Sequence, residues 1–250
     1  MIVIPMAGES RRFREAGYTQ PKFMLPLRGR TVFDESVGSF ARYFADTPFL
    51  FIVRPGPSHA EFVRDRARAL GISDWRVVPL SAPTLGQAET IALGLRAAGT
   101  ARNQALTIFN IDTFRPGFAH PTAFDVRAVD GYLEVFEDDG ANWSFVGPVP
   151  EDAACRVART TEKEPISRLA CTGLYHFRCA DDFLIAYDAK RALGPKAWER
   201  GELYVAPLYN DLIVRGADIR YACIARAAVE FCGVPGEYEE IVYKKKKGHA

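Results

Sequence analysis

The chain opens MIVIPMAGESRRFREAGYTQPKFMLPLRG over residues 1–29, and the fold turns on the residues just behind its first apolar run. Residues 2–5 (IVIP) show no polar alternation, the pattern of a strand covered on both faces. Gly8 comes three residues later, where a backbone can bend closely around a ligand and expose its N–H groups. Arg11, Arg12 and the Pro21-Lys22 pair then gather positive charge beside that bend. A helix starting near Ser10 points its positive end the same way, Ser10 adds a hydroxyl donor, and proline fixes the backbone ahead of a flexible ammonium. The arrangement suits an anion. By itself it also reads as a tight turn leading into a solvated basic helix.

Similar apolar runs recur at 49–53 (FLFIV), 76–80 (RVVPL) and 105–111 (ALTIFNI), separated by helical patterns at about 31–45, 57–70 and 86–98. Strand alternating with helix implies parallel pairing through right-handed crossovers. The expected architecture is α/β, a doubly wound, mostly parallel Rossmann-like sheet in a single domain. In such sheets ligands sit beyond the carboxyl ends of the strands. After residue 125 the pattern becomes alternating. YLEVFEDDGANWSFV (132–146) places Asp139-Gly140 near a turn between two strand-like stretches, and CRVARTT (155–161) and LACTGLYHF (169–177) come next as strands. Helices are expected near 180–192 and 203–215, and a last strand at 218–225.

The 250 residues are 48% hydrophobic, enough to bury a substantial interior. A formal charge of +1, from 32 basic and 31 acidic residues, excludes a protein that coats nucleic acid, so any basic site is local. Five cysteines without C-x-x-C spacing, and four scattered histidines, read as reduced core residues rather than zinc ligands. No membrane span or basic leader is visible, which places the chain in the cytoplasm with no membrane partner. Residues 241–250, ending KKKKGHA, read as a disordered, solvated basic tail.

Residues 6–34, MAGESRRFREAGYTQPKFMLPLRGRTVFD, resemble the signature of nucleotidyltransferases of the sugar-1-phosphate (NDP-sugar) pyrophosphorylase type. There a glycine-rich loop with an arginine precedes a Pro-Lys pair and an "LLPL-x-G-x-P"-like segment. The resemblance implies a GT-A-type fold with a nucleotide-binding half over about 1–125 and an acceptor-binding half over about 126–240. It places Ala7, Gly8, Ser10 and Arg11 around the nucleotide phosphates, Arg12 on the β and γ phosphates, and Lys22 on the α-phosphate. Ser10 stands where many members carry a second glycine, and Arg11 where many carry Thr or Ser. The charge is physically apt, because the reaction brings two anions together. At an effective dielectric of about 20, one like-charge pair 4 Å apart costs roughly 4 kcal/mol.

SAPTLGQAETIALGL (81–95) reads as a helix start, and it resembles the segment of the family that recognises the base. The resemblance puts Gly86 beneath the base, Gln87 on its edge and Thr84 nearby, an amide being able to donate and accept at once. ALTIFNIDTF (105–114) sends an apolar strand into Asn110 and Asp112, and a carboxylate there is costly unless paired or metal-bound. In the family this position holds Mg²⁺, which needs only one or two protein carboxylates. GELYVAPLYNDLIVRG (201–216) places Pro207 where the sugar enzymes have it, and Asn210, beside Asp211, becomes a neutral stand-in for the second metal ligand. TTEKEPISRLACTGLYHF (160–177) resembles the acceptor segment: Glu162 and Lys163 on the sugar and its phosphate, Gly173 beneath the ring. Thr172, Tyr204, Asn110 and Asn210 join that side. Taken alone, the segment reads as a charged hairpin beside a bulged strand.

The resemblance spans residues 1 to about 225 and implies a Mg²⁺-dependent nucleotidyltransferase. An NTP and a phosphorylated acceptor, foremost a sugar 1-phosphate, give an NDP-sugar and pyrophosphate for surface polysaccharide, with Arg12, Lys22, Asp112 and Lys163 as the catalytic set. The chain stops where longer members begin a β-helix or acetyltransferase domain, so a single activity is expected, with room for a homo-oligomer. Three rivals remain open. A cytidylyltransferase for a phosphocholine-like acceptor would use Trp143, Trp198 or Tyr175 as a packing surface. A GT-A glycosyltransferase would normally show a D-x-D motif. A silent binding subunit would tolerate the absent second aspartate.

Overall fold

The computed structural model describes residues 1–56 and 58–247. Its first half follows the order of the apolar runs, but the run at 76–80, expected as a buried strand, gives the sheet's edge strand, Trp75–Pro79, in which only Val78 is buried. β1 (Ile2–Met6) leads into the short α1 (Arg11–Glu15) and α2 (Val32–Gly38), then β2 (Phe49–Val53), α3 (His59–Leu70), β3 (Trp75–Pro79), α4 (Gln87–Ala97) and β4 (Leu106–Phe109). The four strands are parallel in the order β4-β1-β2-β3, with Val3 opposite both Leu50 and Ile108. Every residue of β1, β2 and β4 is buried, because helices cover both faces. Phe33 and Val37 of α2 and Val63 and Ala67 of α3 pack on Ile4, Phe49 and Phe51. Ala88, Ile91 and Leu95 of α4 pack on Val3, Leu50 and Ile52 from the other side. A Cβ at Gly94 would collide with the Ile52 side chain, so this helical glycine permits the close approach of α4 to the sheet.

The second half extends the same nine-stranded sheet: β5 (Gly131–Glu137), β6 (Ser144–Pro148), β7 (Val157–Glu162), β8 (Leu169–Phe177), α5 (Ala180–Ala192), α6 (Tyr209–Val214) and β9 (Ile219–Cys223). β8 runs antiparallel to β4, with Leu174 opposite Phe109, and carries β5 on its other edge. The two strands flanking the expected turn do not pair with each other, because β5 and β6 lie on opposite edges of β8. Eight of the nine β8 residues are buried, so this strand takes the interior place between them. Asp138 builds the wide turn instead, its Oδ1 accepting from Gly140 N at 2.7 Å and Trp143 Nε1 at 3.0 Å.

Three helices are shorter than their patterns predict. The segment expected at 31–45 leaves the helix after Gly38, where Phe40 turns inward onto Phe109 and Phe118. The one expected from 57 begins at His59, and Pro57 lies outside the described residues. The one expected at 203–215 is the single turn Ala206–Leu208 leading into α6. Leu203 stays extended because its backbone bonds Leu85 and Ala88. At the carboxyl end, α7 (Pro235–Lys247) continues through residues expected to form a tail. It is held by Tyr238 and Ile241, buried against Phe13, Leu25 and Val32; residues 248–250 of that tail lie outside the described residues. Among the described residues, no helix is long and apolar enough to cross a membrane.

Candidate active site

A cavity of about 660 Å³ opens where β1 and β4 end, the place the topology predicts. Ala7, Gly8, Ser10 and Arg11 line one wall, and the backbone that carries them is unusual at Ser10, whose φ of 50° is left-handed. A Cβ at Gly8 would meet nothing within 4 Å, so this side of the loop faces open space. Arg11 pairs at 2.9 Å with Glu15 on the exposed face of α1. Arg12 is exposed and does not line the cavity, so of the two adjacent arginines it is Arg11 that the structure brings to the wall.

Lys22 enters from a one-turn helix, Lys22–Met24, whose Phe23 is buried against His59 and Phe62. Its Nζ forms an ion pair with the Asp112 carboxylate across 90 residues of sequence. The two side chains are 18% and 25% exposed, sheltered yet reachable from the cavity. Asp112 is held through its backbone. Its carbonyl accepts from Cys232 N at 2.8 Å, and the turn closes through Thr113 N to Asn110 O at 3.2 Å. Behind it, Thr113 Oγ1 donates to Thr172 O, Thr172 Oγ1 donates to Glu134, and Arg115 Nε pairs with Glu134 at 3.1 Å. Burial pushes the Glu134 carboxyl up, while Arg115 and Thr172 pull it back. Neither Arg115 nor Glu134 is marked by any local pattern in the sequence, since they come together only through the fold.

The opposite wall is the turn into α4. Gln87 Nε2 donates to Asn110 Oδ1 at 2.5 Å, and the Thr84 and Thr90 hydroxyls share a hydrogen bond of 2.7 Å. Gly86, at φ 140°, is obligatory. A Cβ there would stand 2.5 Å from Leu203 O and 2.6 Å from Leu203 N. That contact brings Gly201 and Glu202 to the rim, lining residues that the sequence does not disclose because the extended stretch around Leu203 has a helical pattern.

Of the residues expected to meet the acceptor, Glu162, Lys163 and Tyr204 do not line this cavity; Lys163 takes a left-handed φ of 54° and aims its Nζ at Tyr204 Oη, 2.7 Å away, with Glu162 Oε1 at 3.8 Å. Ser144 Oγ donates to Glu162. Burial raises the Glu162 carboxyl, against the pull of Ser144 and Lys163. Burial and Glu202 likewise push the Tyr204 hydroxyl up.

Several expected contacts are otherwise engaged. Asn210, the expected second metal ligand, has both ends of its amide engaged by Thr160. Its Oδ1 accepts from Thr160 N at 2.8 Å and its Nδ2 donates to Thr160 O at 2.9 Å, which ties α6 to β7. Thr172 is buried with its hydroxyl on Glu134. Gly173 makes room for Asn110, whose side-chain amide a Cβ would strike, and not for a ligand ring. Tyr175 and Trp198 are core residues, and Trp143 packs on Phe231 at 4.6 Å, so none offers a free platform.

No group of three His, Cys, Asp or Glu suited to a metal occurs among the described residues. Asp112 lines the cavity together with Glu9, which pairs with Arg14, and Glu202 at the rim; it is the one of the three that holds the Lys22 ammonium. Mg²⁺ typically takes one or two protein carboxylates and completes its shell with water and phosphate oxygens, so a thin protein shell at Asp112 is enough to hold it.

Comparison with known proteins bears on the family and the fold. The model of the MobA-like NTP transferase domain matches residues 2–140. A nucleoside-diphosphate-sugar pyrophosphorylase from Vibrio cholerae RC9 is 53% identical, with a TM-score of 0.91 over 97% of this chain and 100% of that one. A putative glucose-1-phosphate thymidylyltransferase from Bacillus anthracis (17% identity, TM-score 0.72, 97% and 94% of the chains) shares the fold. So does an inositol-1-phosphate CTP transferase from T. maritima (16%, 0.74, 100% and 97%). A search of curated proteins returns no match. With over half of its length inside the family model and the Vibrio cholerae protein matched along nearly its whole length, the chain belongs to the MobA-like NTP transferase family and is an enzyme of the nucleotidyltransferase type.

Proposed function

We propose that this enzyme transfers a nucleoside monophosphate from an NTP to a sugar 1-phosphate, releasing pyrophosphate and forming an NDP-sugar. The observation that carries the reading is the Lys22–Asp112 pair, placed between the open Gly8 loop and the Gln87 turn in one cavity. The name of the 53% identical relative supports the acceptor class.

The base lies against Gly86 with its edge toward Gln87, an amide already oriented by Asn110. The triphosphate runs along residues 7–11 toward Lys22. An acceptor phosphate oxygen forms a bond to the α-phosphorus as the bond from that phosphorus to the bridging oxygen breaks, and pyrophosphate departs with the electron pair. Lys22 leaves Asp112 and places its ammonium on the α-phosphate, where charge concentrates during displacement. Lys163, steered by Tyr204 and Glu162, holds the acceptor phosphate. Asp112 would hold Mg²⁺, which when bound supplies further neutralisation between the phosphates. No side chain needs to become covalently attached, because positioning and charge neutralisation suffice. Both substrates are cytoplasmic metabolites, which fits the unpaired cysteines, and the product class is a donor for surface polysaccharide.

Incubation with Mg²⁺, each of ATP, CTP, GTP, UTP and dTTP, and a panel of sugar 1-phosphates and small phosphorylated alcohols, with pyrophosphate release monitored, tests the reading. Release that requires one NTP and a sugar 1-phosphate is expected. Release with phosphocholine alone among the acceptors would reverse the assignment.

A further inference from the structure

Glu89 is a buried carboxylate that the transfer chemistry leaves unused. It lies in the first turn of α4 and is 6% exposed. A glutamate there commonly reaches back to the N–H of the capping residue. The cap is Gly86, which has no side chain to reciprocate, and Glu89 reaches one residue further, its Oε2 accepting from Leu85 N at 2.6 Å. Its other oxygen turns to α5, accepting from Tyr187 Oη at 3.2 Å and Arg191 Nε at 3.3 Å. The same two helices are joined again by Arg96, whose guanidinium bonds Asp188 at 2.7 Å and lies over the Tyr187 ring.

The Leu85 side chain is 48% exposed, so burial does not fix the turn. A small set of hydrogen bonds fixes it: Leu85 N to Glu89, Leu203 N to Leu85 O at 2.9 Å, and Thr84 to Thr90. Glu89 is the member of that set that reaches beyond the cavity. A buried carboxylate that loses donors on α5 recovers them by moving, and Leu85 N moves with it.

We propose that Glu89 is a positioning residue that couples α5 to the base-reading turn, so that nucleotide affinity depends on Arg191 and Tyr187, which do not line the cavity. The inference rests on the proposed placement of the base at residues 84–87. Hydrogen bonds to a charged acceptor are among the stronger ones, so Glu89→Gln should weaken NTP binding about tenfold. Arg191→Ala removes one exposed donor and should weaken it about threefold.

Calorimetric titration with MgCl₂ and each of the five NTPs, and separately with pyrophosphate, tests this. Wild type, Gln87→Ala, Glu89→Gln and Arg191→Ala are compared, with Tm measured on each. Pyrophosphate touches the phosphate loop and not the base turn. Loss of NTP affinity in both α4–α5 variants, with pyrophosphate affinity and Tm retained, is the expected result. If NTP and pyrophosphate affinity fall together, or neither falls in Glu89→Gln and Arg191→Ala while Gln87→Ala weakens NTP, the coupling is wrong and the base site stands. If Gln87→Ala has no effect on NTP, the base site is misplaced and the inference goes with it.

Discussion

Replacing Gly86 by alanine asks the most of the cavity wall. The residue sits at φ 140°, and the added Cβ would stand 2.5 Å from Leu203 O and 2.6 Å from Leu203 N, backbone atoms that cannot rotate away. Relief requires the 203 segment to withdraw, which breaks Leu203 N to Leu85 O and Ala88 N to Leu203 O, each 2.9 Å long. Backbone strain of this kind costs about 1–3 kcal/mol, and each lost hydrogen bond about 1 kcal/mol net. The expected destabilisation is therefore about 3–5 kcal/mol, or a Tm lower by about 10 °C for a chain of this length. Thermal unfolding monitored by circular dichroism measures it, and an NTP titration of the folded variant measures the damage to the base turn. A Tm within about 2 °C of wild type together with unchanged NTP affinity would refute the close approach of residues 86 and 203 and the reasoning built on it.

Lys22→Ala should lower kcat by about 100-fold or more, the loss typical of removing one charge-stabilising donor. Its ion pair is partly exposed and contributes about 1 kcal/mol at most, so Tm should hardly move; a variant with normal turnover would contradict its role. Asn210→Ala should lower Tm, because Thr160 loses its partners, while leaving the Mg²⁺ concentration dependence of pyrophosphate release unchanged; an altered dependence would return Asn210 to the metal. Stability should fall as pH drops below about 6.5, a consequence of His176. Burial among Thr107, Tyr132 and His120 lowers its pKa from 6.5 to about 3, so below 6.5 the unfolded chain takes up a proton that the folded one refuses. At pH 5 this costs about 2 kcal/mol. His176→Asn should flatten that part of the Tm–pH curve, and an equally steep curve would count against the assignment.

The legible parts of the fold are those whose burial is two-sided. IVIP, FLFIV and TIF carry no competing pattern, and β1, β2 and β4 appear where they are read. The alternating second half misleads about its pairing because alternation reports that a strand has two faces and says nothing about which strand lies beside it; β8 claims both edges through its own burial. Lys22, Asp112, Gly86 and Gln87, singled out by their motifs, line one cavity. Asn210 looks free in the sequence because the spacing of a motif does not reveal that Thr160, 50 residues earlier, occupies both ends of the amide. Arg115, Glu134 and Glu89 are invisible there for a related reason. A buried charge is recognised by its partner, and each partner is distant in sequence.

The most direct measurement is a crystal structure of the enzyme with Mg²⁺ and its preferred NTP in non-hydrolysable α,β-methylene form. The nucleotide is expected with its base on Gly86 and Gln87, its phosphates along residues 7–11, and Lys22 turned from Asp112 to the α-phosphate. A nucleotide bound elsewhere, or one in this cavity with Lys22 still on Asp112 and no cation beside that carboxylate, would contradict the account.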